Sequence, residues 1–398
     1  MRGPISRRRW LSAGVPRLLG LLILMVAVLP LHSARGANAS NGQDPTRIGQ
    51  WDYDVEAASA FAAFTGPKSA VLESRWGGPQ SLALGRNAFP FPVPFSKSHG
   101  ISSKYAASGA ISPDRKLLAT ELRGPKFGSW RVCLWRLNQR HPKPVVMAGL
   151  AHSLFGRCLA FSPHGRSVVF LGWLKRPWRR AIFVDSSTTG AVLHCLTLPP
   201  ATGDLANSFA LQFVSPDLIV CGLSALGSSP VRIACLSTAS GRVTYEKKFP
   251  MLKAADTMAS CPGRRLLLLA GLTSGTESWP TVCLLRARTG RLAKSVEIKK
   301  GSQWNGRNMM GRYISDICIS RGGRYAVCTE IGLPDKSAML GASASRFVII
   351  DLRLAKVVYF SPLISRDAVW HVDISPHGNR LLFAGNARLF VLRTPFKL

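Results

Sequence analysis

A chain of 398 residues, 46% of them hydrophobic and 18% charged, suits two ordinary domains or one large repeat array and is too apolar to stay unfolded. Its 36 Gly and 26 Pro punctuate it into short segments, and no long amphipathic helical pattern runs through the body, which argues against α/β enzyme folds. Fifty-two Lys and Arg against 20 Asp and Glu leave a net charge of +32, a field that draws anionic partners, although a solubility strategy would leave the same excess.

The first element is an export signal. Arg2, Arg7, Arg8, Arg9 and Arg17 precede the fourteen-residue apolar run Leu18–Leu31, and Ala37-Asn38-Ala39 supplies small residues at the cleavage positions. That run is shorter than the roughly twenty residues a membrane-crossing helix needs. A secretory signal over 1–39 is therefore expected, cleaved after Ala39 and leaving no membrane span in the mature chain. An uncleaved anchor is the alternative. Ser6-Arg7-Arg8-Arg9-Trp10-Leu11 resembles a twin-arginine signal, whose route exports proteins already folded. Removing residues 1–39 takes away six Arg and no acid, so the charge falls to +26 (46 basic less 20 acidic).

Beyond the signal the chain repeats. An apolar residue, Ser-Pro, a polar turn and a β-rich run stand at Ile111–Asp114, Phe161–Gly165, Val214–Asp217 and Ile374–Gly378. Degenerate copies stand at Ser260–Gly263 and Ile319–Gly322. A seventh is found by setting Trp51–Gly66 beneath Trp370–Gly385, where Trp, Asp, a β-branched residue, Phe and Gly coincide without a gap. The residues before each Ser or its equivalent are 55, 111, 161, 214, 260, 319 and 374, so the intervals are 56, 50, 53, 46, 59 and 55. A unit of that length suits a four-stranded blade.

In the third unit the strands are predicted at Arg157–Ser162 (a), Ser167–Gly172 (b), Ala181–Ser186 (c) and Ala191–Leu196 (d). Pro-His-Gly turns a into b, and Thr189-Gly190 turns c into d. The chain over about 45–398 thus resembles the WD-repeat and TolB-like propeller families, through the Ser-Pro-[Asp/His]-Gly turn and the phrases Val132–Leu137 and Phe347–Leu354. It lacks the closing Trp-Asp dipeptide and the opening Gly-His pair of the WD repeat, so the resemblance implies the architecture alone.

The fold class expected is all-β: one seven-bladed propeller of four-stranded antiparallel blades spanning 40–398. The blades fall near 51–104, 105–152, 153–204, 205–252, 253–308, 309–366 and 367–398. The last lacks a strand d, which Thr46–Gln50 would supply, pairing the N-terminal strand into the C-terminal blade. Asn87–Ser96, rich in Pro, is expected to be an excursion between the first two blades.

No nucleophile, zinc or phosphate-loop motif is present, and no cofactor is implied. The nine cysteines recur with the repeat, which reads as packing between blades. Glu121 and Glu330 share one position at the end of strand b, on the face of the b–c and d–a loops. They are an acidic pair for acid–base or cation chemistry, or salt bridges to the abundant Arg.

The strongest binding signal is the b–c loop of the third unit, where Trp173, Lys175, Arg176, Trp178, Arg179 and Arg180 place two indoles among four cations. Indoles stack on rings and Arg grips oxyanions. Lys126, Trp130, Arg131 and Trp279 would extend this rim from neighbouring loops, unless the Trp merely pack and the Arg are merely solvated. The function expected is a monomeric, periplasmic or extracellular binding or scaffold module for a protein or an anionic polymer, such as a polysaccharide or lipid headgroups. Nucleic acid fits the charge but sits poorly with export. The alternative is a hydrolase or lyase acting on an acidic or sugar substrate through Glu121 or Glu330.

Overall fold

The computed structural model describes residues 47–52, 61–67, 69–74, 78–83, 106–123, 130–139, 144–151, 158–175, 178–197, 208–223, 230–274, 278–299, 303–304, 307–308, 311–333, 343–365, 368–385 and 388–398. The predicted signal and its cleavage site, the segment 87–96, Lys126 and Arg176 lie outside them.

The strands follow the repeat. β1 (Arg47–Asp52) precedes the first unit, which holds β2 (Phe61–Gly66), β3 (Ser69–Ser74) and β4 (Gly78–Ala83). The second holds β5 (Ala106–Ile111), β6 (Leu117–Arg123), β7 (Trp130–Arg136) and β8 (Val145–Ala151). The third holds β9 (Leu159–Phe161), β10 (Ser167–Lys175), β11 (Trp178–Ser186) and β12 (Val192–Leu196). The fourth holds β13 (Ser208–Ser215), β14 (Leu218–Leu223), β15 (Val231–Ser237) and β16 (Val243–Phe249). The fifth holds β17 (Leu252–Cys261), β18 (Leu266–Thr273), β19 (Pro280–Arg286) and β20 (Leu292–Glu297), followed by the small hairpin β21 (Gln303–Trp304) and β22 (Arg307–Asn308). The sixth holds β23 (Gly311–Ile319), β24 (Tyr325–Leu333), β25 (Ala344–Asp351) and β26 (Lys356–Phe360), and the last β27 (Val369–Ile374), β28 (Arg380–Gly385) and β29 (Arg388–Arg393).

Every pairing between these strands is antiparallel, and units four, five and six are four-stranded sheets in chain order. The expectation of a seven-bladed propeller needs correction, because the described residues form six blades. Apart from the β21–β22 hairpin, the described strands make six sheets, because β8 bridges to β10 through Ala151 and Gly172 and joins units two and three. The physical reason is the shortness of β9, which pairs β10 only as far as Phe170 and leaves Gly172 beyond its reach. The first unit shows three strands among the described residues.

β1 lies beside β29, with Gln50 opposite Phe390 and Trp51 opposite Leu389, in a sheet ordered β1-β29-β28-β27. Trp51 and Asp52, aligned by the repeat with strand a of the first unit, therefore belong to the last sheet.

The turns explain the recurring phrase. In four of the a–b turns the serine hydroxyl accepts a hydrogen bond from the backbone N–H at the start of strand b: Leu117 to Ser112 (2.9 Å), Ser167 to Ser162 (3.1 Å), Tyr325 to Ser320 (3.1 Å) and Arg380 to Ser375 (3.0 Å). Gly165 and Gly378 follow at φ near +69°, where a Cβ would be strained. In the c–d turns Gly190 and Gly241 donate to the carbonyls of Ser186 and Ser237, both at 2.9 Å.

Strands b and c are mostly apolar because each sheet is covered on both faces. Their side chains form clusters between successive units. Leu171, Ile182 and Val184 meet Leu211, Phe213 and Cys221; Val220, Ile233 and Cys235 meet Met258, Leu269 and Cys283; Val327, Phe347 and Ile349 meet Val372, Phe383 and Phe390. Further clusters join Phe61 and Val71 to Leu118 and Trp135, and Phe64 and Ala70 to Leu382 and Val391.

Cys133, Cys158, Cys221, Cys235, Cys283 and Cys328 are buried in these cores. Burial pushes the thiols of Cys235 and Cys283 up to about 12 and about 11, which keeps them protonated and apolar in character.

Candidate functional site

The third unit carries the aromatic and basic segment that the sequence marks out. It is a hairpin rather than a loop. β10 and β11 run on three residues past the predicted strand ends and pair Trp173 with Arg180, Leu174 with Arg179 and Lys175 with Trp178. Residues directly opposed in an antiparallel pair share a face. Positions 173, 175, 178 and 180 therefore lie on one side of the ribbon, and 174 and 179 on the other. Leu174 packs against the core between units two and three, which fixes that second side as the inner one.

Trp130 and Arg131 open β7, opposite Arg123 and Leu122. Trp279 sits where β18 passes into β19, its N–H held by the Thr273 hydroxyl at 2.8 Å. The structure gives it a partner that the sequence did not suggest: the Arg312 guanidinium, 5.5 Å from the ring centroid.

Arg312 belongs to a buried charged cluster with one of the two predicted acids. Glu330 is fully enclosed on β24. Its Oε1 accepts from Arg312 Nε at 2.5 Å and its Oε2 from Arg346 Nε at 2.7 Å. The pairing is set by register, since β24 places Glu330 between Ile314 on β23 and Arg346 on β25. Arg312 also donates through Nη2 to the Ile298 carbonyl of the preceding unit at 2.8 Å, and the Arg346 guanidinium lies 4.9 Å from the Phe360 ring centroid. Burial draws the Arg346 pKa down, with Glu330 opposing that pull and Arg312 adding to it.

Two guanidinium groups thus share one carboxylate, a net positive charge held at the b–c end of units five and six. Arg312 Nη1 is enclosed and has no hydrogen-bond partner among the described residues. Glu121, the other predicted acid, is buried on β6 opposite Val132. It lies in unit two, whose clusters join it to units one and three, whereas those of unit six join it to five and seven.

A further acid with an enclosed carboxylate was not among those the sequence suggested. Asp256 falls at a bulge in β17, skipped between the pairs Ala255–Gly271 and Thr257–Ala270. Its Oδ2 is enclosed without a partner, and burial raises its pKa from 3.8 to about 7. Tyr313, in the facing strand of unit six, is pushed up to about 12 by burial and by the Asp256 charge. A bulge is invisible in composition, and the hydrophobic alternation around Asp256 gives no sign of it.

Comparison with solved structures settles the architecture. The chain superimposes on the WD40 β-propeller domain of Doa1 with a TM-score of 0.58 at 12% identity, covering 88% of this chain and 97% of that one. The chain has a β-propeller fold. This propeller also matches hydrazine synthase of Kuenenia stuttgartiensis with a TM-score of 0.59 at 14% identity, over 90% of this chain and 99% of that one. At such identities the likeness shows the fold alone. No family model and no curated protein matches the propeller by sequence. Among the described residues no helix is long and apolar enough to cross a membrane.

Proposed function

We propose that this propeller is an exported binding or scaffold module, periplasmic or extracellular, that takes a protein or an anionic polymer on the face of its b–c and d–a loops. The observation that carries this reading is the hairpin register. It sets Trp173, Lys175, Trp178 and Arg180 at four register positions on one side of the hairpin. The shared positive charge of Arg312 and Arg346 at the same end of units five and six lends support. Binding without covalent chemistry is favoured over an acid–base role for Glu330, because guanidinium groups take both of its carboxylate oxygens.

The same proposal includes closure of these sheets into a ring around one axis. Supporting it are the β1–β29 pairing and the cluster joining Phe64 and Ala70 to Leu382 and Val391.

The test is binding of an acidic polysaccharide to Trp178→Ala/Arg180→Ser. Loss of a stacked ring and of an oxyanion contact is expected to weaken affinity about tenfold or more. Unchanged affinity in the double variant, with the parent binding saturably, would remove the hairpin from the binding face.

A further inference from the structure

The opposite end of the last unit carries a second candidate site, one that the loop face does not account for. A cleft of about 680 Å³ opens beside the Gly378 turn. Arg380, Arg393, Lys397, His377 and Phe396 are among the residues lining it, and among the described residues none of the lining is acidic.

This contrasts with the way arginines are handled elsewhere in the chain. Arg115 pairs with Asp373, Arg232 with Glu246, and Arg324 with Asp351. In the cleft, Arg393 and Lys397 are exposed and have no carboxylate within ion-pair distance among the described residues. Arg380 makes one long bond, from Nη1 to the Pro67 carbonyl at 3.4 Å. Three permanent like charges around one concavity repel one another, and an anion placed between them relieves that repulsion.

The cleft is built rather than incidental. In units three to six a c–d turn closes this corner; in unit three Ser187 follows β11 and caps the Gly165 carbonyl at 2.6 Å. In the last unit the fourth strand is β1, so no c–d turn follows β29, and residues 394–398 fold back over the a–b turn instead. Thr394 N–H donates to the Asn379 carbonyl at 3.2 Å, while Thr394 Oγ1 (3.1 Å) and Leu398 N–H (2.9 Å) both donate to the Gly378 carbonyl. Gly378 is needed there, since a Cβ would collide with the Leu398 carbonyl oxygen. Phe396 is seated by Tyr325, their centroids 5.3 Å apart, and the Arg324 guanidinium lies 4.8 Å from the Tyr325 ring centroid. The wall is thus an aromatic ring fixed from behind, with cations in front.

We propose that this cleft binds a phosphate-bearing ligand, its phosphate between Arg380, Arg393 and Lys397 and its less polar portion against Phe396. Guanidinium forks match phosphate oxygens in pairs, and a phosphate's charge answers three cations better than a single carboxylate does. The phosphate has two sources, a small soluble compound or a lipid headgroup.

The experiment titrates inorganic pyrophosphate into the full chain by calorimetry and, separately, sediments the protein with phosphatidylglycerol vesicles. It compares the parent, Arg393→Ser/Lys397→Ser, and the charge-matched Arg288→Ser/Arg291→Ser from the c–d turn of unit five. The expected result is binding about tenfold weaker in the cleft variant and within twofold of the parent in the matched variant, with equal melting midpoints. That pattern with pyrophosphate alone assigns a soluble phosphate compound; with vesicles as well, it assigns the headgroup. The proposal is overturned if the parent binds neither probe saturably, or if the two variants weaken equally, which would leave only diffuse attraction to a basic surface.

Discussion

At the scale of single residues, Asp256 is a group out of balance with its surroundings. The bulge in β17 brings the Ala254 carbonyl so close to β18 that a Cβ on Gly271 would meet it, and a Gly is what the sequence supplies there. The same bulge leaves Asp256 Oδ2 enclosed with nothing to accept from. With its pKa raised from 3.8 to about 7, the folded protein holds a proton that the unfolded chain releases between those values. Stability therefore falls as pH rises from about 4 to about 7 and levels off above. Asp256→Asn is expected to flatten that slope and to gain roughly 1–4 kcal/mol at pH 8. Urea denaturation of both proteins at pH 5 and pH 8 measures it; an Asn variant that keeps the parent's pH dependence would show that another group is responsible.

At the scale of elements, the units are tied by polar groups as well as by apolar cores. Asp316 on β23 accepts from Val372 N–H of the next unit at 2.8 Å and also meets His371 Nδ1 at 2.8 Å. Asp373 on β27 accepts from Phe64 N–H of the first unit at 2.8 Å and pairs with Arg115 of the second at 2.7 Å. Arg115 is left-handed, at φ 60°, where units three and seven have Gly165 and Gly378. That strain, about 1 kcal/mol or more, is offset by donation to Asp373, the Phe64 carbonyl and, at 3.1 Å, the Ile374 carbonyl. Asp373→Ala leaves Arg115 and the Phe64 N–H without their acceptor and is expected to cost about 1–3 kcal/mol, discounted for partial exposure. Asp217→Ala, at an exposed a–b turn where the carboxylate meets only its neighbour Ser215, is expected to stay within about 0.5 kcal/mol. Equal losses in the two variants would deny Asp373 its bridging role.

At the scale of the whole molecule, β1 determines whether the last sheet has an open edge. It is far in sequence from β29, so its pairing carries an entropic cost of loop closure. Adjacent residues of an antiparallel strand point their N–H groups in opposite directions, so one of Gln50 and Trp51 must donate toward β29. The double substitution Gln50→Pro/Trp51→Pro therefore removes at least one ladder bond and is expected to cost about 3 kcal/mol or more. Faster proteolysis and a lower melting midpoint would accompany it. A variant as stable and as protease-resistant as the parent would show that the β1 pairing contributes little.

What the sequence by itself determined is everything that recurs locally. The Ser-Pro turns, the Thr-Gly and Ser-Gly turns and the apolar strands between them are short-range features, each repeated, so the periodicity reads as all-β blades. Six of the nine cysteines followed the same period into the cores, while Cys195 is exposed and Cys261 and Cys318 are half-buried. Tertiary structure alone decided what depends on register and on neighbours distant in the chain. Glu330 found Arg312 and Arg346 because three strands align them across one sheet. Gly172 met Ala151 because β9 stops short, merging two predicted sheets into one. Asp373 and Arg115 are 258 residues apart. Turn chemistry acts over about four residues and is written in them; pairing across sheets is set by the packing of all the units together, and no single segment contains it.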